Sequence, residues 1–231
     1  MLDLIRNRLR QGIRTLEFPT ARPPELPERF RGRPTLDPAK SPPGSAGLDL
    51  GTCLFSPEEV ATYTRDYRMA VARRADLVTP TGEVELARAL EERSRRLFGR
   101  SLRLRSVVAG SCGGCEAELV ALGNVVFDLA RFGVQFVASP RHADGLVVTG
   151  AVNVNMQTAL RKTYDAVPAP KIVLAVGACA LSGGPFRGSP EVGNGVEGLP
   201  VDLWVPGCPP HPLTILDGIL RLLGAIDGGT R

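Results

Sequence analysis

The sequence holds no apolar run approaching the ~20 residues that a membrane-spanning helix needs, so no segment is read as a span. Aromatic residues make up only 5% of the chain, too few for a surface that stacks nucleic-acid bases. An export signal is also missing. The stretch from Met1 to Phe18 carries Arg6, Arg8, Arg10 and Arg14 but no apolar core, which excludes a secretory or twin-arginine signal. Absence of export implies a reducing cytoplasm, where the five cysteines read as thiols or metal ligands rather than disulfides.

What is present fits a globular protein. The 231 residues allow one full domain plus a smaller appendage, and 43% hydrophobic with 23% charged residues is an ordinary balance. Charge is divided unevenly. Residues 1–105 carry 20 Lys/Arg against 14 Asp/Glu, whereas residues 106–231 carry 8 against 10. The basic excess in the first part suits an acidic partner or a phospholipid surface, and equally a solvated face.

Leu2, Ile5, Leu9, Ile13 and Leu16 recur at near-helical spacing and, with the four arginines, predict a short basic amphipathic helix. It could rest on a membrane, on a membrane subunit or on its own domain. Residues 19–57 are proline-rich without periodicity and read as an extended arm or a loop-rich module. Residues 57–75 and 82–98 read as helical, the second opening at Thr81-Gly82-Glu83. A boundary falls near residue 100. Beyond it the pattern alternates: strands at Leu102–Ala109, Val134–Ala138, Gly145–Thr149, Lys171–Val176 and Val201–Val205, with helices at Glu116–Phe132, Asn153–Ala166 and His211–Ile226. Short β-rich runs between amphipathic helices predict an α/β fold, a parallel sheet with helices on both faces.

Three of these strands run into cysteine. The first leads to Gly110-Ser111-Cys112-Gly113-Gly114-Cys115, the fourth to Gly177-Ala178-Cys179 and the fifth to Pro206-Gly207-Cys208-Pro209-Pro210. Ligands of open α/β sheets bind beyond the carboxyl ends of strands, so parallel strands would bring all four thiols to one edge. The glycines let the backbone wrap closely round a bulky object, and the helix starting at the first pair favours an anionic group. Four cysteines suit either a [4Fe–4S] cluster or structural zinc. One close pair joined to two isolated cysteines, in a domain large enough to fold without metal, weighs toward the cluster. Zinc and uncoordinated thiols remain open.

These residues carry a resemblance. Cys112-Gly113-Gly114-Cys115-Glu116-Ala117-Glu118, Ser139-Pro140-Arg141-His142-Ala143-Asp144, Val147-Val148-Thr149-Gly150, Gly177-Ala178-Cys179 and Val205-Pro206-Gly207-Cys208-Pro209-Pro210 resemble the small subunit of membrane-bound [NiFe] hydrogenases of the formate hydrogenlyase type. The homologous subunit of respiratory complex I shares most of this framework. The resemblance covers roughly residues 100–225. It implies a flavodoxin-like sheet and one [4Fe–4S] cluster held by Cys112, Cys115, Cys179 and Cys208. It also implies a large catalytic partner subunit carrying nickel–iron or forming a quinone pocket, other iron–sulfur and membrane subunits, and a peripheral place on the cytoplasmic side of the membrane. Adjacent cysteines at the first position typify the complex I subunit, so the C-G-G-C spacing favours the hydrogenase branch. A quinone-reducing subunit and a zinc-bound scaffold are the alternatives.

The segment Pro23-Pro24-Glu25-Leu26-Pro27-Glu28-Arg29-Phe30-Arg31-Gly32-Arg33-Pro34, with Leu48-Asp49-Leu50-Gly51-Thr52-Cys53, resembles the two-cluster ferredoxin subunit of the same complexes. It departs sharply from that pattern. The first cysteine run is replaced by Ser41-Pro42-Pro43-Gly44-Ser45-Ala46-Gly47, and Ser56 and Glu59 stand at ligand positions after Cys53. Residues 1–75 are therefore expected to be a degenerate docking module without clusters, residues 76–100 a helical linker and residues 101–231 the cluster domain. Cys53 reads as a relic or a buried thiol. Glu118 is a candidate interface or proton-route carboxylate, and Glu116 reads as serving the helix N-terminus. His211 is a candidate for tuning the cluster, its other reading being a fixed turn. His142 reads as capping a turn, and Gly183-Gly184 as a flexible loop facing a partner.

Overall fold

The structure, a computed structural model, describes residues 2–19, 24–36, 47–52, 61–79, 84–90, 97–98 and 101–225. Cys53, Ser56 and Glu59 lie outside the described residues, as does the opening at Thr81-Gly82-Glu83. Helix α1 (Leu2–Gln11) buries none of its residues. The chain reaches the body of the molecule just after it. The Leu16 N–H donates to the Val126 carbonyl at 2.8 Å, and Arg131 donates to the Leu16 and Phe18 carbonyls. Phe18 is buried with its ring edge-on to Tyr67.

Two small antiparallel ribbons follow. Strand β1 (Pro34–Leu36) and strand β2 (Leu48–Asp49) pair with β3 (Ala61–Tyr63) and β4 (Val78–Thr79) respectively. The helix expected over 57–75 is thus not formed among its described residues, which hold β3, an isolated bridge at Val71 and only a 3₁₀ turn at Arg74–Leu77. Its backbone bonds run to distant partners: Val71 exchanges hydrogen bonds with Trp204, and Arg33 with Thr64 and Asp66. Tertiary pairing of the β-favouring Thr62-Tyr63-Thr64 overrides the helical reading. Residues 84–90 of the second expected helix are likewise without helix. Ala87 and Leu90 donate to the Ala70 and Leu222 carbonyls instead of to the preceding helical turn.

Past residue 100 the expected alternation appears. Strand β5 (Leu102–Val108) leads to helix α2 (Gly114–Ala121), then β6 (Val134–Phe136), β7 (Gly145–Thr149), α3 (Val154–Ala166), β8 (Ile172–Val176), α4 (Ala178–Ser182), β9 (Leu203–Val205) and α5 (Pro212–Leu222). The sheet order is β6-β5-β7-β8-β9 and every pair is parallel. That is the flavodoxin-like order, with the direction of winding reversing at β5. Every residue of β7 and β8 is buried, as a sheet covered on both faces requires. Alternate residues feed two cores. Leu102, Leu104, Leu174 and Val176 pack with Leu216 and Ile219 of α5, while Val107, Leu146, Val148 and Val173 pack with Leu160 of α3.

The helix ends have local causes. The Asn153 side chain accepts from the Met156 N–H and starts α3; His211 Nδ1 accepts from the Leu213 N–H and starts α5. The helix expected over Glu116–Phe132 stops at Ala121, with only a 3₁₀ turn re-forming at Leu129–Phe132. The Asn124 side chain accepts from the Val126 and Phe127 N–H groups, and Asp128 adopts a positive φ of 46°, so a local turn replaces the continuing helix.

Buried charge lies on α5 and in the N-terminal segment packed beside it. Asp217 and Arg221 form an ion pair at 2.7 Å, with side chains only 3% and 4% exposed. Burial and the Asp217 charge push the Tyr67 hydroxyl up to about 12. Beside it, Asp66 takes two hydrogen bonds from the Arg68 guanidinium, at 2.8 and 2.9 Å. Burial raises the Asp66 carboxyl, but Arg68 and Arg33 outweigh it and hold the group below its ordinary value of 3.8. A carboxylate with a depressed folded pKa contributes stability that is present above the unfolded value and lost as pH falls through the folded one. Asp66→Asn is therefore expected to cost about 1–2 kcal/mol near neutral pH. The gap to the unaltered protein should close as pH falls below 3.8, as read by urea unfolding across the acid range. A gap independent of pH would show that the Asp66 charge contributes nothing.

Candidate metal centre

The sheet delivers its cysteines along one edge. Beyond β5 the chain turns through Gly110 and Gly113, at φ +87° and +89°, and Cys115 enters the first turn of α2. Beyond β8, Gly177 turns the chain into α4, whose second residue is Cys179. Beyond β9, Cys208 follows Gly207. The last two loops are bonded to each other: the Gly177 N–H donates to the Val205 carbonyl and the Ala178 N–H to that of Gly207, at 2.9 and 2.8 Å. None of Cys112, Cys115, Cys179 and Cys208 is in a disulfide. Cys115 is buried, Cys179 half-buried, and Cys112 and Cys208 exposed.

Glycines make the approach possible. A Cβ on Gly177 would run into the Cys115 sulfur, and one on Gly184 would stand 2.6 Å from the Cys179 sulfur. A Cβ on Gly114 would meet both the Cys112 sulfur and the Pro209 ring, at 3.6 and 3.7 Å. The loops from β5, β8 and β9 thus converge where side chains have been removed.

The thiols feel one another. Burial pushes the Cys115 thiol up to about 12, aided by the charges of Glu116, Cys179, Cys208 and Cys112. Cys179 is raised by burial, then by Cys208, Cys112 and Glu116, and Cys208 by burial and Cys112. Four thiolates cannot share so small a space without a cation to offset them. Among the described residues no three His, Cys, Asp or Glu side chains are gathered as the ligands of one metal ion. The soft sulfur donors and the glycine-cleared space fit an iron–sulfur cluster.

Glu116 differs from its expected part. Although it lies in the first turn of α2, its carboxylate accepts from the Ser111 hydroxyl at 2.7 Å and from the Thr149 hydroxyl. It ties the loop holding Cys112 to the end of β7. Ser111 also accepts from the Gly113 N–H at 3.2 Å. Reading the sequence missed this clamp; its signal was Thr149, a hydroxyl closing an otherwise apolar strand. Glu118 lies half-buried on α2, and burial raises its carboxyl. His211 caps α5 and is flanked edge-on by Phe30 and Phe127, with ring centres at 5.3 and 5.9 Å. Burial lowers its pKa. His142 ends an exposed 3₁₀ turn. Gly183, at φ +83°, ends α4, and Gly184 opens a 3₁₀ turn.

Two contacts bring the N-terminal segment to the cysteine loops. Arg74 donates to both Asp49 carboxylate oxygens, at 2.9 and 2.7 Å, and to the Leu181 carbonyl of α4. The Ser182 hydroxyl donates to the Gly51 carbonyl at 2.7 Å. A cavity of about 210 Å³ separates Arg31, Tyr63 and Met69 from Cys208, Pro210 and His211.

The family model described as NADH ubiquinone oxidoreductase, 20 Kd subunit, matches residues 112–222. A probable membrane-bound hydrogenase subunit of Pyrococcus furiosus is 44% identical over 138 residues, which is 58% of this chain and 83% of the relative. This chain belongs to the 20 kDa subunit family. A subunit of the NADH-quinone oxidoreductase of Bacteroides thetaiotaomicron is 47% identical over 128 residues, or 54% of this chain and 64% of the relative. Among solved structures, a chain of the membrane-bound sulfane sulfur reductase, an archaeal respiratory membrane complex, superposes with a TM-score of 0.51 at 32% identity. That superposition covers 61% of this chain and 78% of the other.

The 20 kDa family match begins at Cys112 and so contains all four cysteines of the edge. Within it Gly177 turns the chain at φ +91° and ψ 150°, a region closed to other residues. Gly177→Ala is expected to destabilise the fold by about 1–3 kcal/mol and to displace the Cys115 sulfur. Denaturant unfolding and iron content of the purified protein would read the two effects. Unaltered values of both would show that this turn can accept a side chain.

Proposed function

We propose that Cys112, Cys115, Cys179 and Cys208 ligate one [4Fe–4S] cluster. On this reading the chain is the electron-transfer subunit of a membrane-associated oxidoreductase of the [NiFe] hydrogenase type. The observation that carries it is the convergence of three parallel strand ends, each continuing into a cysteine loop at one sheet edge. When bound, such a cluster supplies one-electron redox chemistry. The chain's own residues hold it: Gly114, Gly177 and Gly184 leave room, Glu116 fixes the Cys112 loop to β7, and the locked β8 and β9 loops set Cys179 against Cys208. With its four thiols committed to the cluster, this set leaves no thiolates to hold nickel and activate hydrogen. The substrate site therefore belongs to a large catalytic subunit placed over the side where Cys112 and Cys208 are exposed.

The C-x-x-C spacing of Cys112 and Cys115 supports the hydrogenase branch. A quinone-reducing role is the second reading, supported by the 47% identity to the NADH-quinone oxidoreductase subunit of Bacteroides thetaiotaomicron. In both, other iron–sulfur and membrane subunits complete the complex, nucleic acid has no part, and the chain sits peripherally on the cytoplasmic side of the membrane. No helix of the described residues is long and apolar enough to cross one. Residues 1–75 act as a docking module that binds no cluster. Glu118 serves the interface or a proton route, and His211 tunes the cluster from its place beside Cys208.

Anaerobic purification should give about four irons and four sulfides per chain. Cys179→Ala and Cys208→Ala should each abolish the cluster, as read by iron and sulfide content; full retention in either would defeat the ligand assignment. Stoichiometric zinc without sulfide would instead make the chain a scaffold. The isolated chain should turn over neither hydrogen nor quinone, and its interface with the large subunit should bury more than about 1,000 Å².

A further inference from the structure

We infer that α1 is a membrane-surface anchor that lies in the interface of an anionic phospholipid bilayer. Its ten residues are helical although none is buried, and a helix this short is marginal in water without a surface to pack on. Leu2, Ile5 and Leu9 fall on one stripe at i, i+3 and i+7, and are 82%, 53% and 78% exposed. Arg6 and Arg10 flank the stripe on one side and Arg8 on the other. This pattern lets apolar side chains enter the acyl boundary while guanidinium groups reach the headgroups on their long stems. Ile13 and Arg14 repeat it just beyond the helix, Ile13 being 83% exposed. Against four arginines, residues 2–14 carry a single acid, Asp3.

The tether suits this use. Residues 12–15 link α1 to a fixed point, where Leu16 and Phe18 are held by Val126, Arg131 and the Tyr67 ring. A helix docked in a protein groove would bury its stripe against matching apolar side chains; here the stripe is narrow and rimmed by cations, which a negatively charged lipid surface complements on every side. The inference deepens the membrane-associated part of the proposed function and rests on none of the cysteine assignments.

The test uses the full chain and two variants in its surface helix. The probes are vesicles of phosphatidylcholine with roughly one-third phosphatidylglycerol and vesicles of phosphatidylcholine alone. The unaltered chain should sediment with the anionic vesicles, bind the neutral ones far more weakly, and be released as salt is raised. Removing each arginine should weaken binding by about fivefold, so Arg6→Gln, Arg8→Gln and Arg10→Gln together should cost roughly a hundredfold. Ile5→Glu with Leu9→Glu should abolish binding. Trp204 fluorescence and iron content should be unchanged in both variants, so that loss of the anchor is read separately from loss of the fold or of the cluster. Failure of the unaltered chain to bind anionic vesicles would overturn the inference, as would equal binding by either variant. Loss of the chain from its purified complex in the variants, without any vesicle binding by the unaltered chain, would assign α1 to a protein partner and overturn it equally.

Discussion

The parallel alignment of five strands is the constraint on which everything else depends. Because β5, β7, β8 and β9 run the same way, the loops that follow them leave at the same edge. Cysteines separated by more than sixty residues in sequence become neighbours without any element designed to link them. An antiparallel pair would have sent alternate loops to opposite ends. The complete burial of β7 and β8 makes this alignment rigid, since sliding either strand by one residue would turn its apolar side chains from one packed face to the other.

On that frame the electrostatic problem is local. Thiols brought together by the sheet resist ionising, Cys115 most of all. The chain answers with shape, offering space cleared at Gly177 and Gly184 and a turn fixed by Glu116, Ser111 and Thr149. The site is thus unfavourable as a set of free thiolates and favourable once a multiply charged cationic core is inserted.

The half that carries the cysteine edge was legible in the sequence because its signals are local and repeated. Apolar runs such as Ile172-Val173-Leu174-Ala175-Val176 can be little other than covered strands, and glycine next to cysteine marks a strand end. Helix α1 was read correctly, but the described residues after it in the first hundred were not legible in this way. Val71 bonds to Trp204, Ala87 to Ala70 and Leu90 to Leu222, so their conformation is decided by chain beyond their own helical turn, for Val71 and Leu90 more than a hundred residues away. A helical reading of residues 61–75 and 84–90 weighs only neighbours and misses those partners; Leu97 and Phe98, at the end of the second expected helix, are helical. Asn124 interrupted the expected long helix through a side-chain bond that periodicity does not register. The four cysteines were placed at one edge from sequence alone, but the role of Glu116 was not, because its partner Thr149 comes from another strand.

The antiparallel bridge between Val71 and Trp204 has a consequence for the order of events during synthesis. Strand β9 offers one side to β8 and the other to Val71, so the early segment has no edge to join until β9 leaves the ribosome. The same stretch of chain brings Cys208, the last of the four thiols, a few residues later. Until then the nascent protein exposes both an unfinished sheet edge and an incomplete set of thiols. Closure of the sheet and completion of the thiol set therefore coincide, and the nascent chain passes from an open scaffold to a finished receptacle in one late step.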